Sequence, residues 1–374
     1  MGWFNWNKKQ SKSSYPSLNS LAQNDKLINQ FYNTYNHITV KGKYICSISS
    51  FNYKPPKNPV VLCHGLSGFD QLILIPSIRQ LINLIQNYMQ LIVDEENNNG
   101  ISPFDNNNNN TNSTTLLAID YWIGIKNLLE SKGCKVFITK VPSFGSIELR
   151  ALTLHNLLEE LSLKNSQKNK TKFNLIAHSM GGLDARYLIS RIPNKQNYEI
   201  ISLTTISTPH HGSEMADFVV DQFESLKSIL PTPSITQEGI LPICFYQLST
   251  NYMNEYFNHI VPNNPQVKYF SYGAMFTPNW YSVFKPSWQI IYDKSGGKPN
   301  DGMVTVESAH WGEYMGTLYG LDHLDIINWQ NKLIVQPPKK DSTKNNSKIN
   351  KMKVNLDILQ FYLFITHNLA QRGF

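Results

Sequence analysis

The chain has 374 residues, of which 41% are hydrophobic and 16% charged, with a formal net charge of +7. That is enough apolar material for one large core or two smaller ones, yet no run of about twenty apolar residues is present that would cross a membrane as a helix. The positive charge sits in appendages: 1–24 holds Lys8, Lys9 and Lys12 without an acid, and 339–353 holds six lysines against Asp341. The remainder is near neutral, so no basic helix or groove points to nucleic acid; the tails are solubilising or are drawn to an anionic membrane surface.

Residues 1–37 read as a flexible segment. Trp3, Phe4 and Trp6 stand at its front among Ser, Lys and Asn, which suits a lipid interface or a mitochondrial presequence, and it lacks the apolar core of a secretory signal. Cys46, Cys63, Cys134 and Cys244 are far apart with no C-x-x-C pair, which implies reduced core thiols of an intracellular protein and not metal ligands.

Residues 38–53 alternate as early strands do, and prolines 55, 56 and 59 then interrupt the chain. Val60 to Cys63 is a short buried strand that runs into His64-Gly65-Leu66-Ser67-Gly68. The Asn-rich insertion at 90–118 cannot bury enough surface to fold. A helix is expected from Asp120 to Ser131, stopped by Gly133, then a strand at 136–139. A second helix starts at Ile147, with Leu154, Leu157, Leu158 and Leu161 on its buried face and His155 off that stripe in solvent. A strand at 173–178, a helix from Gly181 to Pro193 and a strand at 201–206 follow. This alternation implies a parallel sheet covered on both faces.

Between the 173–178 strand and its helix stands Ala177-His178-Ser179-Met180-Gly181. Small residues two before and two after a serine permit the sharp strand-to-helix turn that lifts its oxygen above the sheet. The helix N-terminus behind it, starting with the Met180 N–H, favours the negative charge that forms when a serine attacks a carbonyl. The strand-His-Gly-Leu stretch is where a second such donor stands, assigned to the Leu66 N–H, with His64 shaping the loop. His210 and His211 point apart on an extended chain and read as part of a turn, not a chelate.

Residues 214–260 break the rhythm. Phe218, Val219, Phe223, Leu226 and Leu230 oppose Asp217, Asp221, Glu224 and Lys227, which describes a helix that packs on the core or a lid that opens at a lipid interface. A strand at 267–271 precedes Asp301 in a Gly-containing turn and His323 beyond it. A Lys-rich loop at 336–353 and a helix at 356–372 complete a domain spanning 38–374. Ser179, Asp301 and His323 stand in the order nucleophile, acid, base. A serine needs a base for its proton, an imidazole can take and return it, and a carboxylate orients that imidazole. Asp322 and Asp325 flank the base and compete for the acid role, but sequence neighbours seldom reach their own imidazole.

The chain resembles the bacterial family I triacylglycerol lipases and their eukaryotic intracellular counterparts. The matching stretches occur in order: His64-Gly65-Leu66, Tyr121-Trp122 with Gly124-Ile125, His178-Ser179 with Gly181-Gly182, Arg186-Tyr187, Thr208-Pro209-His210 with Gly212-Ser213-Glu214, Asn300-Asp301-Gly302 and His323-Leu324-Asp325. The resemblance implies an α/β-hydrolase fold with a mostly parallel central sheet, helices on both faces and a helical lid after Asp217. It implies a Ser179–Asp301–His323 triad, oxyanion donors at the Leu66 and Met180 N–H groups, and hydrolysis of acylglycerols through an acyl-enzyme without a cofactor. Asp325 resembles one ligand of the bacterial structural calcium, but no second carboxylate is evident before Asp301, and no metal is expected. Phospholipase or acyltransferase chemistry by the same triad remains the alternative, with a silent lipid-binding protein behind it. The expected partner is lipid at a membrane or droplet surface, the expected state a monomer, and the compartment mitochondrial or cytosolic.

Overall fold

The computed structural model describes residues 52–66, 121–164, 169–193, 195–229, 241–329 and 358–374. The expectations for the N-terminal segment, most of the early strands, Cys46, the Asn-rich insertion and the Lys-rich loop fall outside these residues. Six strands form one sheet: β1 (Val60–Cys63), β2 (Val136–Ile138), β3 (Thr171–His178), β4 (Tyr198–Ile206), β5 (Lys268–Met275) and β6 (Glu313–Tyr319). Their order is β2-β1-β3-β4-β5-β6, and every pairing is parallel. The connection direction therefore reverses across the β1–β3 pair, which is where the carboxyl ends of an open parallel sheet leave a crevice.

The period-two alternation of a strand explains the two layers. In β1, Val60 and Leu62 enter one core and Val61 and Cys63 the other. The first core lies under α1 (Ile125–Ser131) and the C-terminal helix, through Ile125, Leu129, Phe361 and Leu369. The second lies under α2 (Ile147–Leu163) and α3 (Gly181–Arg191), through Ala151, Leu154, Leu158, Ala185 and Leu188. Burial on both faces is why the strands read as apolar runs. Asn174 is a buried polar residue in the middle of β3, and its amide is met by Ser202 Oγ at 2.6 Å and the Asn58 carbonyl at 3.3 Å. The α2 N-terminus is capped by Ser146, whose Oγ accepts from Leu149 N.

Several boundaries differ from the sequence reading. α1 starts at Ile125, because Gly124 has φ 72°, a left-handed geometry that a helix cannot run through. His155 is not solvated: its Nδ1 lies 2.8 Å from the Tyr198 hydroxyl and its ring is half-buried. Residues 52 and 53 are not in a strand. β6 was not anticipated, since Gly316 interrupts its apolar pattern; nor was the helix Lys285–Lys294. Cys63, Cys134 and Cys244 are buried free thiols.

The amphipathic stretch after β4 forms α4 (Glu214–Ile229), with Val219 and Phe223 buried in the first core. The Asp217 carboxylate accepts from the Thr250 N–H and hydroxyl at 2.8 Å each. Asp221 pairs with Lys294 at 2.8 Å across to the Lys285–Lys294 helix. Its described part is thus docked on the core; residues 230–240 lie outside the description. Among the described residues no helix is long and apolar enough to cross a membrane.

Candidate active site

Ser179 has φ 55°, a region costly for a residue with a side chain and found at strained functional turns. The turn is held from several sides. Thr208 Oγ1 donates to the Ser179 carbonyl at 2.7 Å, and the Ser179 N–H donates to the Ile206 carbonyl at 3.1 Å. A Cβ at Gly181 would lie 2.6 Å from the His64 carbonyl oxygen, and one at Gly182 would collide with Thr208. Ala177 stands where a glycine is common and is fully buried in β3.

Asp301 and His323 meet. His323 Nδ1–H donates to Asp301 Oδ2 at 2.8 Å, and the His323 N–H donates to the Asp301 carbonyl at 2.9 Å. Asp301 Oδ1 accepts the N–H groups of Met303 and Val304 at 2.9 and 2.8 Å. Both side chains are fully buried. The pair leaves Nε2 as the basic nitrogen of His323. The His323 ring sits 4.6 Å, centroid to centroid, from the ring of His178, the residue before Ser179. The competing carboxylates are turned elsewhere: Asp322 Oδ1 accepts from the Leu324 and Asp325 N–H groups, and Asp325 Oδ2 from the Asp322 N–H. One oxygen of each is thus engaged within their own turn, and among the described residues no group of three His, Cys, Asp or Glu side chains is placed to hold a metal ion. Burial and the neighbouring Asp325 charge push Asp322 up to about 7.

Leu66 is buried in the stretch that follows β1. That loop touches the serine: a Cβ at Gly65 would lie 2.7 Å from Ser179 Cβ and 3.1 Å from its Oγ. His64 shapes it, as expected. Val141 N–H donates to His64 Nε2 at 3.1 Å, so Nδ1 carries the proton and donates to the Gly65 carbonyl at 2.7 Å. Burial, with the Arg150 charge adding to it, pushes His64 down from 6.5 to about 4. Met180 is fully buried, at the N-terminus of α3. His210 is likewise buried inside its turn, bonded to Thr205 Oγ1 at 2.9 Å and stacked on Trp311.

Two residues escaped the sequence reading. Arg150, on α2, is fully buried and pairs with Asp184 of α3 at 2.7 Å. Its Nη2 also donates to the carbonyls of His64 and Gly65 at 3.0 and 3.2 Å, and its Nη1 to that of Pro142 at 2.7 Å. Burial raises Asp184 to about 6 while Arg150 pulls it back, so it is ionised at neutral pH. The only sequence signal was a charged residue on the apolar face of each helix.

Reversal of the connection direction in a parallel sheet, beside a serine elbow, defines the α/β-hydrolase class of fold. A family model described as palmitoyl protein thioesterase matches residues 59–265. Triacylglycerol lipase 2 of Saccharomyces cerevisiae is 54% identical over 324 residues, covering 86% of this chain and 94% of the yeast protein. A triacylglycerol lipase of Vibrio cholerae is 25% identical over 75% of this chain and 83% of its own. Among solved structures, lipase 1 from Pelosinus fermentans covers 84% of this chain and 99% of its own at 16% identity, with a TM-score of 0.49. The chain belongs to the α/β-hydrolase lipase family.

Proposed function

We propose that the protein is a serine lipase that hydrolyses acyl esters of glycerol, with Ser179 as nucleophile, His323 as general base and acid, and Asp301 as the group that orients it. The carrying observation is the Asp301–His323 hydrogen bond, which leaves Nε2 as the basic nitrogen of a ring packed on the residue before the elbow serine. The relatives named triacylglycerol lipase support glycerol esters as the substrate class.

His323 Nε2 takes the Ser179 proton as Oγ bonds to the ester carbonyl carbon. The resulting oxyanion is met by the Leu66 and Met180 N–H groups. Its collapse breaks the bond to the glycerol oxygen, which receives the proton from His323. Water then repeats the sequence on the acyl-enzyme, releasing the fatty acid and restoring Ser179. None of these steps calls on a cofactor. The C-terminal helix belongs to the same domain, since Phe361 and Tyr362 are fully buried and the Lys57 N–H donates to the terminal Phe374 carbonyl at 2.9 Å. Ser179→Ala should lower release of fatty acid from triacylglycerol by about 10³–10⁶-fold with the fold intact. Near-full activity in that variant overturns the assignment. Preference for phospholipid over triacylglycerol in the wild type would move the substrate class and leave the triad in place.

A further inference from the structure

Tyr121 stands just before α1, and His178 is the last residue of β3. Neither has a role in the reaction described above, yet their side chains join three loops of the site. The Gly65 N–H donates to the Tyr121 phenol oxygen at 3.0 Å. That oxygen lies 2.7 Å from His178 Nδ1. Having accepted from a backbone amide, it directs its own proton to the imidazole. Nδ1 is therefore the unprotonated nitrogen of His178, and Nε2 carries the hydrogen. Nε2 is buried, and the ring packs against that of His323 at 4.6 Å between centroids.

We propose that Tyr121 and His178 are a positioning relay, which sets the loop after β1 and the loop carrying His323 against the elbow. This rests on the serine-hydrolase reading given above. Two consequences follow from the geometry. First, the Gly65 amide is engaged and is not the oxyanion donor, which supports the assignment of that role to the next amide, that of Leu66. Secondly, the His178 ring stays neutral beside the base. His323 becomes a cation when it holds the serine proton, and a second cation at a ring 4.6 Å away would oppose that step. Tyr121 donates to the one nitrogen at which His178 would take up a proton. Apolar packing alone would not select this pair, because a phenylalanine and an aliphatic side chain would fill the same space without two polar groups to satisfy.

The test is Tyr121→Phe, which keeps the ring and deletes the oxygen. The expected result is a fall in kcat of about 10–100-fold with KM little changed, the pattern of a displaced donor and not of lost binding. Nitrogen NMR of the ¹⁵N-histidine-labelled protein should show His178 as the Nε2–H tautomer in the wild type and a tautomer mixture in Tyr121→Phe. His178→Asn should lose activity too, and the double variant should be no worse than the worse single one, since the two act as a unit. Wild-type kcat in Tyr121→Phe, or losses that multiply in the double variant, would overturn the relay. If Tyr121→Phe does not fold, the wild-type spectrum decides: an Nδ1–H tautomer rules the relay out. Ser179→Ala separates the two readings. If it is inactive while Tyr121→Phe is unaffected, the relay alone is wrong; if it is active, the serine site is wrong.

Discussion

Arg150→Met would test how the oxyanion loop is held. The guanidinium of Arg150 is fully buried, ion-paired to Asp184 at 2.7 Å, and bonded to the carbonyls of His64, Gly65 and Pro142. Methionine fills much of the same volume but leaves a buried carboxylate without its cation. Removing one partner of a buried pair costs about 3–5 kcal/mol, a large share of the 5–15 kcal/mol that is typical of a whole domain. The cost should depend on pH. Asp184 already ionises only above about 6, and without Arg150 its pKa rises further, so at acid pH the orphaned group is neutral and the penalty shrinks. Urea denaturation at pH 7.5 and 5.5 should therefore show a larger deficit at the higher pH. The double variant Arg150→Met/Asp184→Leu should recover most of it, because no buried charge remains. The folded fraction of Arg150→Met should also lose kcat, up to the roughly 10²–10³-fold that deletion of one oxyanion donor costs. A deficit below about 1 kcal/mol at pH 7.5, the scale of an exposed ion pair, or a double variant as unstable as the single one, would refute the reasoning.

Asp301→Asn should retain the fold and lower kcat by about 10⁴-fold, because an amide in place of the carboxylate favours the wrong imidazole tautomer; steady-state kinetics on a soluble ester would show it, and a loss under tenfold would count against Asp301. Gly65→Ala places a methyl group 2.7 Å from Ser179 Cβ, so it should abolish labelling by a fluorophosphonate while circular dichroism stays close to wild type. His64 gives a pH dependence of stability. It is neutral in the fold down to about 4, whereas the unfolded chain protonates near 6.5, so the unfolded state binds the extra proton. Stability is complete above 6.5 and is lost as pH falls towards 4, by about 3 kcal/mol at most. His178 and His210, also depressed by burial, act in the same direction. His64→Asn should therefore flatten the acid slope without removing it, and parallel urea midpoints for wild type and variant would sink the idea.

The strands around the site were legible because both faces of the sheet are covered, which makes Val60–Cys63 and much of β3 and β4 continuous apolar runs. The elbow was legible because its demands are local: a small residue, a serine and a glycine at fixed spacing serve a turn that Ser179 makes at φ 55°. β6 was hidden by Gly316 and the start of α1 by Gly124, whose backbone geometry composition does not announce. The yield on partners was lower. Two carboxylates flank the base in sequence and Asp301 lies 22 residues before it; Asp301 is the one bonded to the ring, while Asp322 Oδ1 and Asp325 Oδ2 are engaged within their own turn.

By itself, then, the sequence determined the layered parallel architecture, the identity of the serine turn and the order in which the acid and base arrive. These depend on spacing along the chain, which strand and turn chemistry read directly. The tertiary structure set Asp301, already favoured from sequence, against His323, and it alone decided that Arg150 reaches from α2 to the loop behind Ser179 and that Tyr121 meets His178. Those pairs are 22, 34 and 57 residues apart, taking Asp184 as the partner of Arg150. Only the register and crossovers of the sheet bring such groups together, because hydrogen bonds and buried charges choose their partners by distance in space.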